Sequence, residues 1–505
     1  MGFFKTVAVV TVFSVCEKFL GFLYRIFLSR TIGAEGIGLY QVALSVFALL
    51  LTICSSGTPI TVSRLMTKYR AENREDKVKK IVTAGLVITL LTALPLCIFF
   101  FVFKGTLPII FADVRSANIF LVVLPGLVFT SVYAVLRGVF WGNKDFLPYS
   151  IIELLEEICM IFVGVFLISR ATTAYQGAFR AGVAVLVSYV FSFSLATLVF
   201  IIRKNRLKNP KTELKPLLAS AMPVTAMRTA NSFIASLVSI ILPMRLISSG
   251  YTESVAISAF GAAAGQALPI LFIPTTIIGS FTLVLVPEIS ENYYAKRNLS
   301  LKTNIEKAIK TSVLIASFCL PVFFVMGTEI GVMFFGNADS GKFLSYSAFL
   351  MLFMSLSSIT TSILNSIGLE TKTLVYYIIG AVLMLISVYV LPSFMGIYSL
   401  IVGYAFVFVI TTAFNLRLIS KKSPIKIEYG RFSVLSVIFI VLTSVFGLLL
   451  KGVLLKLLGP ILTIMAVGII LVAFIGVLFL AFDLVSIQAF KQKVFSIFKR
   501  KRLTQ

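Results

Sequence analysis

Histidine is absent from this 505-residue chain, which excludes Ser-His-Asp catalysis, a His-ligated metal and a histidine proton switch. Cysteine is scarce. Cys16, Cys54, Cys97, Cys159 and Cys319 all lie in apolar stretches with no paired spacing, so they read as small core residues rather than disulfides or metal ligands. No glycine-rich, phosphate-cradling motif of the Walker type occurs, so the chain carries no ATPase of its own. Charge is sparse at 13% of residues, and acid especially so, with 20 Asp and Glu against 45 Lys and Arg. No bond-making active site, metal site or cofactor is expected.

What the chain has in excess is apolar surface: 59% hydrophobic residues and a mean hydropathy of +1.03. No soluble fold hides that much, whereas lipid receives it. Windows of about 20 apolar residues place spans near 5–28, 38–62, 81–104, 117–141, 148–170, 177–202, 216–248, 254–287, 308–336, 344–368, 371–391, 395–419, 432–455 and 460–483. The expected fold is an all-α integral membrane protein with about fourteen transmembrane helices. The first span has no obvious small-residue cleavage site and is expected to be retained.

The cations fall asymmetrically between these spans. Arg64, Lys68, Arg70, Arg74, Lys77, Lys79 and Lys80 follow span 2; Arg203, Lys204, Arg206, Lys208, Lys211 and Lys215 follow span 6. Lys296, Arg297, Lys302, Lys307 and Lys310 follow span 8, and Lys421, Lys422, Lys426 and Arg431 follow span 12. Odd connections hold only scattered cations such as Arg30, Arg115 and Arg170. The positive-inside rule then puts both termini and all even connections in the cytoplasm of a multi-pass inner-membrane protein. The net charge of +25 is a topology signal, and no basic domain stands apart for nucleic acid.

An internal repeat is visible at three anchors. Arg25 and Tyr40 match Arg245 and Phe260; Pro59-Ile60-Thr61-Val62-Ser63 matches Pro287-Glu288-Ile289-Ser290; the run from Ser131 to Gly142 matches that from Ser357 to Gly368. Duplicated helical bundles are common in transporters. The expected organisation is two parallel six-helix lobes, 1–202 and 216–420, joined by a cytoplasmic linker at 203–215. Two extra helices follow at 432–483, and then a tail at 484–505. In that tail Ile487, Phe490, Val494, Phe495 and Phe498 alternate with six Lys and Arg from Lys491 to Arg502, the pattern of a basic amphipathic helix on the cytoplasmic leaflet.

Charges inside spans are functional by default, because lipid exposure costs ~2.5–3.5 kcal/mol or more each. Glu17, Gly21 and Arg25 recur at helical spacing with Lys18 on the same flank, and Gly21 leaves room there for a neighbouring backbone or a ligand. Arg228 lies about 18 Å into span 7 at 1.5 Å per residue. Arg245 is the repeat equivalent of Arg25. These cations point to a cleft that handles an anion. Glu153 and Glu157 are one turn apart in span 5 with Glu156 beside them. With Glu17 and Arg137 they read either as coupling residues or as structural ion pairs. Snorkelling explains Arg30, Arg137 and Arg245 equally well. Tyr40, Tyr133, Trp141 and Tyr149 read as an interfacial belt, and most of the 47 Phe as lipid-facing packing.

The run Lys18-Phe19-Leu20-Gly21-Phe22-Leu23-Tyr24-Arg25-Ile26-Phe27-Leu28-Ser29-Arg30, continued by Ile32-Gly33-Ala34-Glu35-Gly36-Ile37-Gly38-Leu39-Tyr40-Gln41, resembles the opening of stage V sporulation protein B and related polysaccharide-biosynthesis membrane proteins. Leu136-Arg137-Gly138-Val139-Phe140-Trp141-Gly142, Ala267-Leu268-Pro269, Phe272-Ile273-Pro274 and Leu285-Val286-Pro287-Glu288-Ile289-Ser290 extend the resemblance, which covers essentially the whole chain. The superfamily includes drug antiporters, polysaccharide-unit flippases and lipid II flippases. The resemblance implies two lobes around a central cleft that rock between inward-open and outward-open states. In lipid II flippases a cationic cleft receives the pyrophosphate and sugar while the polyprenyl tail stays in lipid. Carried over to this chain, it implicates Arg25 and Arg64 directly, and Arg245 through the repeat.

Three functions follow as alternatives. A flippase would move an anionic, polyprenyl-linked glycan lipid outward, with membrane lipids and cell-wall synthesis proteins as surroundings. A cation-coupled drug antiporter of the same fold would need an intramembrane acid, and Asp76, Asp113, Asp145, Asp339 and Asp483 all lie at loops or span ends, which leaves Glu17 and the span 5 glutamates. A scaffold would have no need of buried charge. An inside-negative potential favours expelling an anion by ~2.3 kcal/mol per charge per 100 mV; Na⁺ and H⁺ coupling stay open.

Overall fold

The structure, a computed structural model, describes residues 3–203, 207–422 and 430–484, and among them every regular element is helical. The expected amphipathic tail at 485–505 lies outside the described residues. In chain order the helices are α1 (Phe3–Ser55), α2 (Thr58–Ala71), α3 (Glu75–Val102), α4 (Leu107–Ile110), α5 (Val114–Val123), α6 (Gly126–Gly142), α7 (Phe146–Ile168), α8 (Ala174–Ile202), α9 (Lys211–Ser248) and α10 (Glu253–Phe260). A π-helical turn, Gly261–Ala267, leads into α11 (Leu268–Leu271), α12 (Ile273–Tyr294), α13 (Asn298–Phe335), α14 (Ala338–Ser347), α15 (Leu350–Ser366), α16 (Glu370–Val390), α17 (Pro392–Met395), α18 (Ser399–Lys422) and α19 (Gly430–Ala481). Nine helices among the described residues are long and apolar enough to cross a bilayer, or up to eleven if two bent pairs, α5–α6 and α14–α15, each make one span. α7 is also long enough, but it carries Glu153, Glu156 and Glu157.

Two of the long helices are hairpins. In α19, Phe439 meets Phe479, Phe446 stacks on Phe474 at 4.7 Å, and Gly447 lies against Leu471. Partners so far apart in sequence cannot meet on a straight rod rising 1.5 Å per residue, and every pair is centred within one residue of Gly459. Gly459 sits at φ 71°, ψ 172°, open to glycine and costly for any residue with a Cβ. Gly33, at φ 67°, ψ −176°, breaks α1 in the same way, and Arg25 and Tyr40 interact across it. A glycine between two apolar runs thus reverses the chain.

The chain divides into two compact units, Met1–Gln266 with Leu391–Ile397, and Ala267–Val390 with Tyr398–Gln505. In the first, α2, α3, α6 and the ends of α7 and α8 close over a core that includes Val62, Met66, Ile81, Val139, Phe140 and Ile152. Tyr133 belongs to that core at 4% exposure, so it is not an interfacial belt residue. The linker after α8 is tied to the same helices. Arg203 pairs with Asp145, Lys208 with Asp76 at 2.7 Å, and buried Glu213 accepts from the Tyr69 hydroxyl at 2.5 Å. In the second unit α13 is the central strut, packed by α14, α15 and α19. There Lys451 Nζ donates to Glu329 Oε2 at 2.8 Å and to the Val325 carbonyl at 2.9 Å.

Pro59 at the start of α2 fits a first helical turn, where its missing N–H is no loss. Helix therefore continues through Arg64 to Ala71, beyond the expected end of the second span at residue 62. Arg64 is a helical residue and not part of a loop.

Candidate functional site

Every expected site residue falls in the first unit, on α1, α2, α6, α7 and α9. The structure sorts them into two sets. The first is acidic. Glu153 of α7 pairs with Arg137 of α6 at 3.1 Å, and the Arg137 guanidinium lies 5.4 Å from the Trp141 ring centre. Glu17 of α1 is within Coulombic reach of Glu153, Lys18 and Arg137. Glu157 Oε1 sits 3.0 Å from where a Gly21 Cβ would be, so the space left by Gly21 is filled by a carboxylate, not by a backbone. Glu156 completes the group within reach of Arg137, Glu153 and Glu157. Around it the buried hydroxyls of Tyr24 and Tyr133 have no hydrogen-bond partner among the described residues. One guanidinium thus faces several carboxylates. Arg137 pairs inside the protein and does not snorkel.

The second set is cationic and paired differently. Arg25 Nη1 donates to the Gly265 carbonyl at 2.8 Å, inside the π-helical turn. Next to it Gln266 Nε2 donates to buried Ser29 Oγ at 2.7 Å. In an α-helix the Gly265 carbonyl would look to the N–H four residues on, but that residue is Pro269, which has none, so the oxygen is left for α1. Arg64 donates to Ser220 Oγ of α9, and Arg228 Nη1 reaches the Ser56 carbonyl at 3.4 Å. Among the described residues, none of Arg25, Arg64 and Arg228 meets a carboxylate. Neutral oxygens solvate these charges without neutralising them, so each retains its attraction for an anion. Lys18 is exposed on the flank of α1 and Arg245 is half-buried near the end of α9. The three arginines hold separate positions along α1, α2 and α9, and among the described residues no hydrogen bond joins one to another.

Sequence reasoning missed the π-turn acceptor, the enclosure of Glu156, and the Lys451–Glu329 pair. That last pair had a signal: Glu329 is a lone charge in a long apolar run, and Lys451 shares its own run only with Lys456.

Comparison with known proteins bears on this arrangement. The model of the family described as polysaccharide biosynthesis protein matches residues 3–293. The chain belongs to that family. Among curated proteins, the chain is 26% identical over 454 residues to stage V sporulation protein B of Bacillus subtilis (strain 168), covering 85% of this chain and 86% of that one. It is 23% identical over 496 residues to lipid II flippase MurJ of the same organism, covering 88% and 87%. The solved structure of lipid II flippase MurJ in an inward closed conformation matches with a TM-score of 0.73 at 14% identity, over 94% of this chain and 98% of that one. An inward-facing multidrug resistance MATE family transporter of the MOP superfamily matches with a TM-score of 0.67 at 14% identity, over 80% and 95%. The chain is therefore a multi-span membrane protein with the fold shared by these flippases and transporters.

Proposed function

We propose that the protein is a flippase that moves an anionic, polyprenyl-pyrophosphate-linked glycan precursor from the cytoplasmic to the outer leaflet by alternating access of two six-helix lobes. The observation that carries this reading is the pairing of Arg25, Arg64 and Arg228, on α1, α2 and α9, with neutral oxygens. Such cations attract phosphate and repel cationic drugs. Arg25, Arg228 and Arg245, with Lys18 and Arg64, hold the pyrophosphate oxygens through charge-assisted hydrogen bonds. The polyprenyl tail remains in lipid. The relatives named for lipid II and for sporulation favour a peptidoglycan or spore-cortex precursor over capsule units. The fourteen-span count, the lobe boundaries 1–202 and 216–420, and the cytoplasmic placement of both termini belong to this proposal.

The test is replacement of a host's lipid II flippase by this gene. Growth is the expected result, lost with Arg25→Ala. No growth, together with no retention of lipid II by the purified protein, overturns the reading.

One observation favours a second reading, a cation-coupled multidrug antiporter: the carboxylates Glu17, Glu153, Glu156 and Glu157 outnumber Arg137. That reading expects dye tolerance that disappears with Glu153→Gln, and no binding of glycan lipid.

A further inference from the structure

The second unit has a recess where four helix ends meet. Its lining includes Tyr293 at the end of α12, Leu301 and Ile305 at the start of α13, Ile367 just past α15, and Ile419 and Lys422 at the end of α18. It encloses about 260 Å³, counted out to its open mouth. Leu301, Ile305 and Ile419 are buried, Tyr293 and Ile367 half-buried, and Lys422 exposed. The walls are apolar, and the lining residue most open to water is a cation.

This end is the cytoplasmic one by the cation asymmetry of the connections. The recess also lies beyond the reach of lipid tails. α13 has 38 residues, a rise of about 57 Å against a hydrocarbon core of ~30 Å. Except for Glu329, every charge on α13 falls from Lys302 to Lys310, so that stretch stands at the aqueous side. Leu301 and Ile305 belong to it.

The charges around the recess are unbalanced. Arg297 pairs with Glu291 at 3.1 Å, and Lys302 with Glu306 at 3.7 Å. Lys296, Lys307, Lys421 and Lys422 lie close in sequence to the lining residues and have no ion pair among the described residues. The first unit is built the other way. There Lys68, Arg70, Arg74, Lys77, Arg203 and Lys208, which also follow even spans, each meet a carboxylate. The positive-inside rule accounts for cations at both places, and not for this difference in pairing.

We propose that the recess is a docking site for an acidic cytoplasmic polypeptide, which seats one apolar side chain among Ile305, Ile367 and Ile419 and lays its carboxylates on Lys422 and the neighbouring lysines. An apolar anchor in a socket supplies affinity, and charges at the rim supply rate and selectivity. The chain's own residues 485–505 do not suit the site, because they hold six Lys and Arg and no acid. The inference stands apart from the flippase reading, whose substrate residues all belong to the first unit.

The experiment places the full-length protein in nanodiscs of zwitterionic lipid and measures binding of a fluorescent peptide of glutamates with one central leucine. Binding is expected to fall severalfold in high salt, with serine in place of the leucine, and with Lys422→Glu or Ile367→Ser, while lipid II retention by the same variants is unchanged. Absence of binding, or binding that ignores both the leucine and Ile367→Ser, overturns the site. Where Lys422→Glu does not reach the membrane, Lys422→Gln replaces it, and no loss there overturns the site. In cells, a photoreactive benzoylphenylalanine in place of Tyr293 is expected to cross-link an acidic polypeptide, and Lys422→Glu to abolish that adduct. Adducts with lipid alone, or only within the chain, overturn the proposal. A protein that binds the peptide in this way and never retains lipid II leaves the docking site standing and removes the flippase reading.

Discussion

Arg25 and Arg137 show how the same residue type is put to two uses within one bundle. Arg137 is neutralised by Glu153; Arg25 is only solvated, by a carbonyl that Pro269 leaves without a helical N–H. Replacing Arg25 by Ala should therefore remove activity with normal membrane abundance, and Arg25→Lys should restore part of it, because an ammonium lacks the planar bidentate fork. Complementation together with immunoblotting of membranes separates the two outcomes. Glu153→Gln should act on stability instead, by removing the carboxylate in direct contact with Arg137. The pair is partly exposed, at 31% and 19%, so the loss should fall below the ~3–5 kcal/mol of a fully buried pair. Thermal unfolding of the detergent-solubilised protein measures it, and Arg137→Gln added to Glu153→Gln should recover much of the loss.

Legibility in the sequence varied at this scale. Arg25, Arg228 and the Glu17–Gly21–Arg25 flank could be found because each is a local departure from apolar composition at helical spacing. Their partners could not. Gly265 is 240 residues from Arg25 and Ser220 is 156 from Arg64, and local pattern carries no information on such pairings. Glu157 against Gly21 is of the same kind: the sequence located the gap, and only the packing filled it.

At the scale of elements, glycine placement decides more than hydropathy does. Gly33 and Gly459 turn apolar runs of more than 50 residues into hairpins, and the gaps at 29–37 and 456–459 between expected spans coincide with them. Gly459→Ala should be destabilising by about 1–2 kcal/mol, the cost of a Cβ in the left-handed region. Gly452→Ala, at a helical position with open space, should be neutral or stabilising by up to about 1 kcal/mol. Opposite signs in the two melting shifts would verify that the turn, and not the loss of a glycine as such, is responsible.

For the whole molecule, the distribution of cations sets sidedness. Cysteines introduced at Lys77 and Lys208 in a cysteine-free protein should react only when the cytoplasmic face is opened, and one at Ser249 should react from outside. Outside labelling at both lysine positions would reverse the polarity of the transport reading. The helical class, the membrane location and the apolar segments were legible because lipid imposes composition over windows of about 20 residues. The compact units were not legible: α9 and α10 follow the linker in sequence, yet they pack with the helices that precede it. Repeat spacing records ancestry, whereas contacts record which surfaces fit.

The Lys451–Glu329 bond also constrains how the chain is built. Glu329 enters the membrane with α13, 122 residues before its counter-charge is synthesised, and until α19 docks that side chain is without its ion-pair partner. Val325 on the same helix meets Gly447, and Phe318 packs against Phe479, so the late hairpin also covers apolar surface that α13 presents. Biogenesis therefore has an order: α13 is a provisional helix until the last hairpin arrives. A chain ending at residue 429 should be a substrate for quality-control proteolysis, even though every residue assigned to substrate handling is already present. Supplying residues 430–505 as a separate polypeptide should rescue its half-life in pulse-chase measurements, and Lys451→Ala in that fragment should weaken the rescue.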